Sequence, residues 1–515
     1  MKKRIIYLGI VLLAFIVGCT DDFEDINTPK DAVLQVEAGI MFNPLLQNPL
    51  RNYQRNINLY PDLFSQYWAN TVSGFESPRY EYVDGWIGNQ WNEFYTQTLP
   101  EANQLIAWYG EDPLHANAMA QLEIWICSEW ARMLQTYGDM PYFGAGLGES
   151  VAYNSEQEIY YDLFDRLTTA VNNIDPGATD QYAYKKPDGT NYDLLYSGDL
   201  DKWKRFGNSM RLRLAMRLAN VDPTKAQTEA AAAVADGVMT SNADVAHIPL
   251  WSSGWYDYLH QMAFAWNNIR ASKTLTDLLY NQSTLGEDPR ARRWFAYKDD
   301  SPLVGNAEIE GVVNGYDVLP GNSNDFATIN LEGGYVGFVG NGTDVSHYLP
   351  YMFYSEVLFL RAEAALRGWV AGDANSLYLE GIQASMDFVG VDPANATDYI
   401  NGLSALSGSN EAQLRQLITQ KYIANFPNGV EAWADFRRTD YPDISLPVDG
   451  VSSNSSVAPD TWVKRIRYSD NAHLFDAFFM PSSRNTVESD RMDIRLWWDT
   501  ADTKTKSGGL MSSNF

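Results

Sequence analysis

The sequence is poor in the residues that build covalent frameworks and metal centres. Among 515 residues there are two cysteines, Cys19 and Cys127, and five histidines. Two cysteines build no disulfide framework, zinc knuckle or CxxC redox pair. His115, His247, His260, His347 and His473 are scattered without metal-ligand spacing, and a lone His is more often surface or satisfied core than catalytic. Basic residues are scarce as well. The 38 Lys and Arg face 65 Asp and Glu, for a net charge of −27. Phosphate backbones need basic surface, so nucleic acid is not an expected partner, and the same charge disfavours direct docking on anionic lipid. GxxxxGK[ST], GxSxG and HExxH are all missing. Gly144, Gly146 and Gly148 have the wrong spacing for a dinucleotide fingerprint and fall in a loop.

What the chain does have begins at its N-terminus. Lys2, Lys3 and Arg4 precede the apolar run Ile5–Val17. Thirteen residues are too few to cross ~30 Å of hydrocarbon as a helix, so the run reads as a secretory leader. Gly18-Cys19 at its end resembles a lipobox, with Ile16 and Val17 where Leu and a small residue are more usual. That reading makes residues 1–18 a lipoprotein signal peptide and Cys19 the acylated first residue of the mature chain. The alternative is a plain leader with an incidental Cys. Residues 19–40 are then an N-terminal tether, and its Asp21, Asp22, Glu24 and Asp25 give the membrane surface no electrostatic help.

Helical periodicity dominates the remaining sequence. Ile126, Trp130, Leu134 and Tyr137 share one helix face, which stops at Gly138. Leu163, Leu167, Val171 and Ile174 mark a second helix, and Trp203, Phe206, Met210, Leu214 and Leu218 a third, interspersed with Arg205, Arg211, Arg213 and Arg217. Further helices are expected at Lys225–Asp236, Ser355–Arg367, Leu377–Phe388 and Glu411–Asn425. Short stops between helices imply stacked helical hairpins. Long Gly-, Asn-, Ser- and Asp-rich stretches separate them, at 68–90, 177–200, 240–268, 300–350 and 443–480. No Pro-rich or charge-block linker divides the chain, so residues 41–515 are read as one mainly α domain with long irregular loops.

No catalytic pair stands out. Glu431 and Asp435, four apart beside Arg437 and Arg438, read as helix-end salt bridges rather than a carboxylate dyad. Asp317, Asn322, Asn324 and Asp325 carry oxygen ligands suited to calcium but lack the EF-hand pattern. Cys127 lies on a helix between apolar neighbours and is expected to be a buried, inert thiol. No catalytic residue, metal site or cofactor is expected.

The string CTDDFEDINT (Cys19–Thr28) is followed by YGDMPY (Tyr137–Tyr142), KWKRFGNS (Lys202–Ser209), SKTLTD (Ser272–Asp277) and DPR (Asp288–Arg290). YMFYSEVLFLRAEAALRGW (Tyr351–Trp369), EAWADFRRTDYP (Glu431–Pro442) and RLWWD (Arg495–Asp499) complete the order. Together these strings resemble the SusD/RagB outer-membrane nutrient-binding lipoproteins. The resemblance implies a single α-rich domain of tetratricopeptide-like hairpins. It also implies a lipid-anchored, cell-surface location and a partner, a SusC-like TonB-dependent outer-membrane transporter. Members capture oligosaccharides or other nutrients for import and are not enzymes. Capture of peptides or another non-sugar nutrient is the alternative within that arrangement. A surface glycoside hydrolase and a helical adaptor are readings from other classes. Trp433, Trp497 and Trp498, in the shared strings, are expected to pack the scaffold.

The ligand platform has to come from aromatic loops, because 16 Trp, 31 Tyr and 22 Phe exceed what a core easily hides. Sugars present flat C–H faces to aromatic rings, while polar neighbours take the hydroxyls. One candidate loop, Pro249–Asn268, holds Trp251, Trp255, Tyr256, Tyr258 and Trp266 beside Ser252, Asp257, His260 and Asn267. A second, Phe75–Trp91, holds Tyr80, Tyr82 and Trp86. The competing reading is that these rings pin the loops to the scaffold. That reading is preferred for Trp91 and Trp266, and the binding role is assigned to Trp86, Trp251, Trp255, Tyr256 and Tyr258.

Overall fold

The computed structural model describes residues 35–48, 53–148, 150–179, 181–250, 259, 261–296, 309–316, 322–330 and 347–500. Cys19, Trp251, Trp255, Tyr256, Tyr258, His260 and Asp317 lie outside the described residues.

Many of the helices start where short polar side chains can hold their first free N–H groups. Helix α1 (Ala38–Gln47) is one of several without a side-chain cap. Its first turn, Ala38–Ile40, falls inside the stretch expected to be tether, and Ala38 and Phe42 are fully buried. Helix α2 (Leu99–Tyr109) leads to α3 (Ala116–Tyr137), which ends on Gly138 at φ 83°. Helix α4 (Glu156–Asn173) opens with a reciprocal Ser155–Glu158 capping box. Asp199 caps α5 (Leu200–Arg217), and Asp222 caps α6 (Pro223–Asp236). Ser272 does the same for α7 (Lys273–Asn281). Then come α8 (Tyr354–Leu366), α9 (Ala374–Phe388), α10 (Pro393–Asn401), α11 (Asn410–Ala424), α12 (Gly429–Thr439) and the short α13 (Asp470–Asp476).

Consecutive helices pack as hairpins: α3 on α4, α5 on α6, α8 on α9. Helix α4 also packs on α5, and α8 on α11, so the hairpins stack. Gly207 permits one of these approaches. A Cβ there would come 2.5 Å from Val171 Cγ2 and 3.1 Å from Ile124 Cδ1. The expected helices therefore all form, and the mainly α, tetratricopeptide-like reading is correct.

Glu431 and Asp435 form salt bridges, as expected, but the bridges reach beyond their own helix and belong to a buried ionic network. Glu431 lies 2.7 Å from Arg217 and 3.7 Å from Arg213. Asp435 lies 2.8 Å from Lys421, 3.6 Å from Arg438 and 3.8 Å from Arg217. Arg213 also meets Glu356, and Arg438 meets Glu363, each at 2.7 Å. The network joins α5, α8, α11 and α12. Burial pushes the carboxyls of Glu431, Asp435 and Glu363 up, but the guanidinium and ammonium groups outweigh it and hold all three below their ordinary values. Arg437 takes no carboxylate of its own helix; it lies over the Trp433 ring at 3.5 Å and donates to the carbonyls of Gln135 and Lys464. Trp433 and Trp498 are buried, and Trp497 is half-buried against the core.

Among the described residues, strands occur only as short antiparallel pairs within the connections between helices. Strand β1 (Trp68–Asn70) pairs with β5 (Ile269–Ala271), and β2 (Met140–Pro141) with β3 (Tyr153–Asn154). Strand β4 (Ala246–Leu250) pairs with β8 (His347–Met352), and β6 (Phe295–Ala296) with β7 (Thr328–Ile329). These ladders decide which loops lie side by side. Among the described residues no helix is long and apolar enough to cross a membrane.

Candidate functional site

The β1–β5 ladder joins the roots of the two aromatic candidate loops. Trp68 faces Ala271 and Asn70 faces Ile269. Just past β1, the Thr71 amide donates to the Asn268 carbonyl at 3.0 Å, and the Thr71 hydroxyl to the Asn267 carbonyl at 2.7 Å. Residues some two hundred positions apart in sequence thus share one edge.

The Phe75–Trp91 segment leaves this edge as a well-anchored loop. Arg79 donates to the carbonyls of Gly450 (3.0 Å) and Asp449 (3.2 Å). Tyr82 donates to Asp84 Oδ1, and that oxygen also accepts the Asp470 amide at 2.8 Å. The Arg467 guanidinium lies 3.8 Å over the Tyr82 ring. Tyr80 and Trp91 are buried, so they belong to the core. Trp91 is enclosed by Tyr95, Tyr137 and Tyr468 at 4.8, 5.0 and 5.2 Å. Trp86 is different. It stacks on Phe75 at 5.3 Å with planes only 13° apart, and both rings are half-buried. An aromatic pair that covers one ring face against the protein and leaves the pair partly in solvent suits a sugar face.

Trp266, expected to pack on the scaffold, is 46% exposed. The next residue, Asn267, sits in the left-handed region at φ 55°. A tight turn needs that conformation, and Asn is among the few residues that tolerate it. Beneath this turn lies Arg270, with no exposed surface. Its guanidinium donates to Asn267 Oδ1 (2.5 Å), the Ser323 carbonyl (2.8 Å), the Ile269 carbonyl (2.7 Å) and, weakly, Asn324 Oδ1 (3.5 Å). All four are neutral acceptors, and no carboxylate among the described residues forms an ion pair with Arg270. Burial without a counter-charge pulls its pKa down to about 10. Asn322, Asn324 and Asp325, considered above for calcium, belong to this loop. Asn322 caps the Ser323–Asp325 turn, and no metal-holding cluster of His, Cys, Asp or Glu occurs among the described residues.

A second feature left no sequence signal. A hollow of about 310 Å³ opens between Trp91, Tyr95, Gly146, Val151 and Phe475. Phe475 and Leu474 on α13 are each 72% exposed, and Phe478 is 92% exposed. Ser150 donates to Asp476 at 3.0 Å, linking the loop between β2 and β3 to the end of α13 at the mouth.

The sequence profile of a SusD-like family, described as starch-binding associating with outer membrane, matches residues 29–468. Among curated proteins none matches this chain. Among solved structures, a chitin-binding SusD homolog from Flavobacterium johnsoniae is 27% identical, with a TM-score of 0.74. That match covers 93% of this chain and 100% of the homolog. A SusD homolog from Parabacteroides distasonis is 28% identical, with a TM-score of 0.77, over 90% of this chain and 98% of its own. A SusD-like protein from Bacteroides thetaiotaomicron shares the fold at 24% identity, with a TM-score of 0.74, over 92% and 100%.

Proposed function

The chain belongs to the SusD-like family, and from that premise we propose that it binds oligosaccharides at the outer-membrane surface and delivers them to a SusC-like TonB-dependent transporter. The observation that carries the reading is the family match over most of the chain, together with the likeness to a chitin-binding homolog along nearly all of it. The half-buried Trp86–Phe75 stack and the exposed Trp266 support it, because they offer ring faces beside amide and hydroxyl groups. Trp251, Trp255, Tyr256 and Tyr258 extend the same loop edge in sequence and are proposed to contribute further ring faces.

The protein is read as a binder rather than an enzyme. Its buried carboxylates Glu431, Asp435 and Glu363 are tied up in ion pairs, where they serve the scaffold. Cys19 is the proposed site of acylation, with residues 1–18 removed and the tether linking membrane and body.

Calorimetry with a panel of chitin, starch, cellulose and xylan oligosaccharides tests the reading, with sugar release measured in parallel. Saturable binding without release supports it. Release of shorter sugars makes the protein a hydrolase, and binding of peptides alone makes it a peptide-capture protein. Co-purification of a TonB-dependent barrel from mild detergent tests the transporter partnership, and isolation of the protein alone overturns that part.

A further inference from the structure

Resting on the saccharide-binding reading above, we propose that Trp266, Asn267 and Asn324 form one saccharide subsite, and that Arg270 beneath them is its positioning residue. Trp266 supplies a ring with 46% of its surface in solvent, in a chain whose other described Trp residues are largely covered. Asn324, on the neighbouring loop, is exposed as well. Both amide oxygens, Asn267 Oδ1 and Asn324 Oδ1, face the same guanidinium nitrogen of Arg270. That shared contact settles the amide orientation. With its oxygen turned to Arg270, Asn324 presents its NH₂ group as the free end, a donor suited to a sugar hydroxyl or ring oxygen. Asn267 spends one N–H on Ser323 Oγ at 3.4 Å, which ties the Trp266 turn to the second loop.

A buried guanidinium whose acceptors among the described residues are all neutral is costly, since burying a charge without a paired countercharge is unfavourable. A purely structural tie between two loops needs no charge. Arg270 instead provides a fork that reaches two loops at once, through Nε and Nη2, and aims two amides together. Lysine, with one nitrogen, cannot keep the Nε contact to the Ser323 carbonyl together with the Nη2 contacts to the two amides.

The test uses the full-length lipoprotein in mild detergent, with the oligosaccharide panel named above. Trp266→Ala and Asn324→Ala are each expected to weaken binding about tenfold, with an unchanged thermal midpoint. Arg270→Lys is expected to weaken binding to a similar degree, yet to lose less in an Asn324→Ala background than in the wild type, because only its hold on Asn267 remains to be removed. Additive losses overturn the positioning role. If wild type binds while Trp266→Ala and Asn324→Ala bind equally well, the subsite is overturned and the saccharide-binding reading stands. If wild type binds no member of the panel, both fall. Should Arg270→Lys fail to fold, Asn267→Gly removes the same contact from the other side, and its backbone tolerates φ 55°. Wild-type affinity in that variant overturns the proposal.

Discussion

Arg217 Nη2 lies 2.7 Å from Glu431 Oε2, and both side chains are buried. Glu431 also takes a hydrogen bond from Gln135 at 2.8 Å and faces Arg213. Helices α3, α5 and α12 therefore meet at one carboxylate. Glu431→Gln removes the negative charge and takes from the buried Arg217 its close carboxylate, while Arg213 keeps Glu356. Breaking a buried pair from one side costs about 3–5 kcal/mol. The variant is expected to unfold at a clearly lower urea midpoint, with the denaturant slope unchanged.

The opposite behaviour is expected of Asp62. It is wholly buried, accepts from Tyr53 Oη at 2.9 Å and faces no cation among the described residues. Burial pushes its carboxyl from 3.8 up to about 7, although Tyr53, Asn58 and the Gly429 amide pull it down. The folded state thus holds a proton that the unfolded state releases near 4. Its contribution to stability is complete below pH 4 and is lost as pH rises towards 7. Asp62→Asn keeps the neutral shape. It is expected to gain stability over wild type at pH 8 and to show no difference near pH 4, in urea titrations at both values.

Trp86 and Trp91 separate binding from packing within a single loop. Trp91 is buried among tyrosines, and Trp91→Ala is expected to cost about 3–5 kcal/mol. Trp86 has only its Phe75 stack and partial cover to lose. Trp86→Ala is expected to weaken oligosaccharide binding about tenfold while moving the thermal midpoint far less than Trp91→Ala does. Calorimetry and thermal unfolding on both variants check the contrast.

Cys127 is fully buried, and burial raises its thiol well above the ordinary value. Thiolate, not thiol, is the nucleophile. With Cys19 replaced by Ala, native protein is expected to leave a thiol reagent unreacted and to consume one equivalent of it on unfolding.

The anchor is tested at Cys19. Acyl chains contribute ~0.8 kcal/mol per buried CH₂, and two or more hold a protein stably. Cys19→Ala is expected to leave the outer-membrane fraction. A variant still retained there, and protease-accessible on intact cells, contradicts acylation at this position.

The sequence by itself determined seven of the helices, several of their stops and the class of the fold. Periodic faces such as Ile126, Trp130, Leu134 and Tyr137 are local signals, and so are stops such as Gly138, because a helix is built from contacts a few residues apart. It also marked aromatic loops as the place to look for a ligand. Tertiary structure alone decided the rest. Nothing near Thr71 announces that it will bond to Asn267 and Asn268, because a ladder between residues about two hundred positions apart leaves no periodic trace in either strand. The same holds for Glu431: its helix-end position was readable, but its burial against Arg213 and Arg217 depends on how α5 meets α12. Trp91 and Trp266 were read alike from sequence, yet one is buried and the other is 46% exposed. A tryptophan's role is set by what packs over it, and that cover comes from residues distant in the chain.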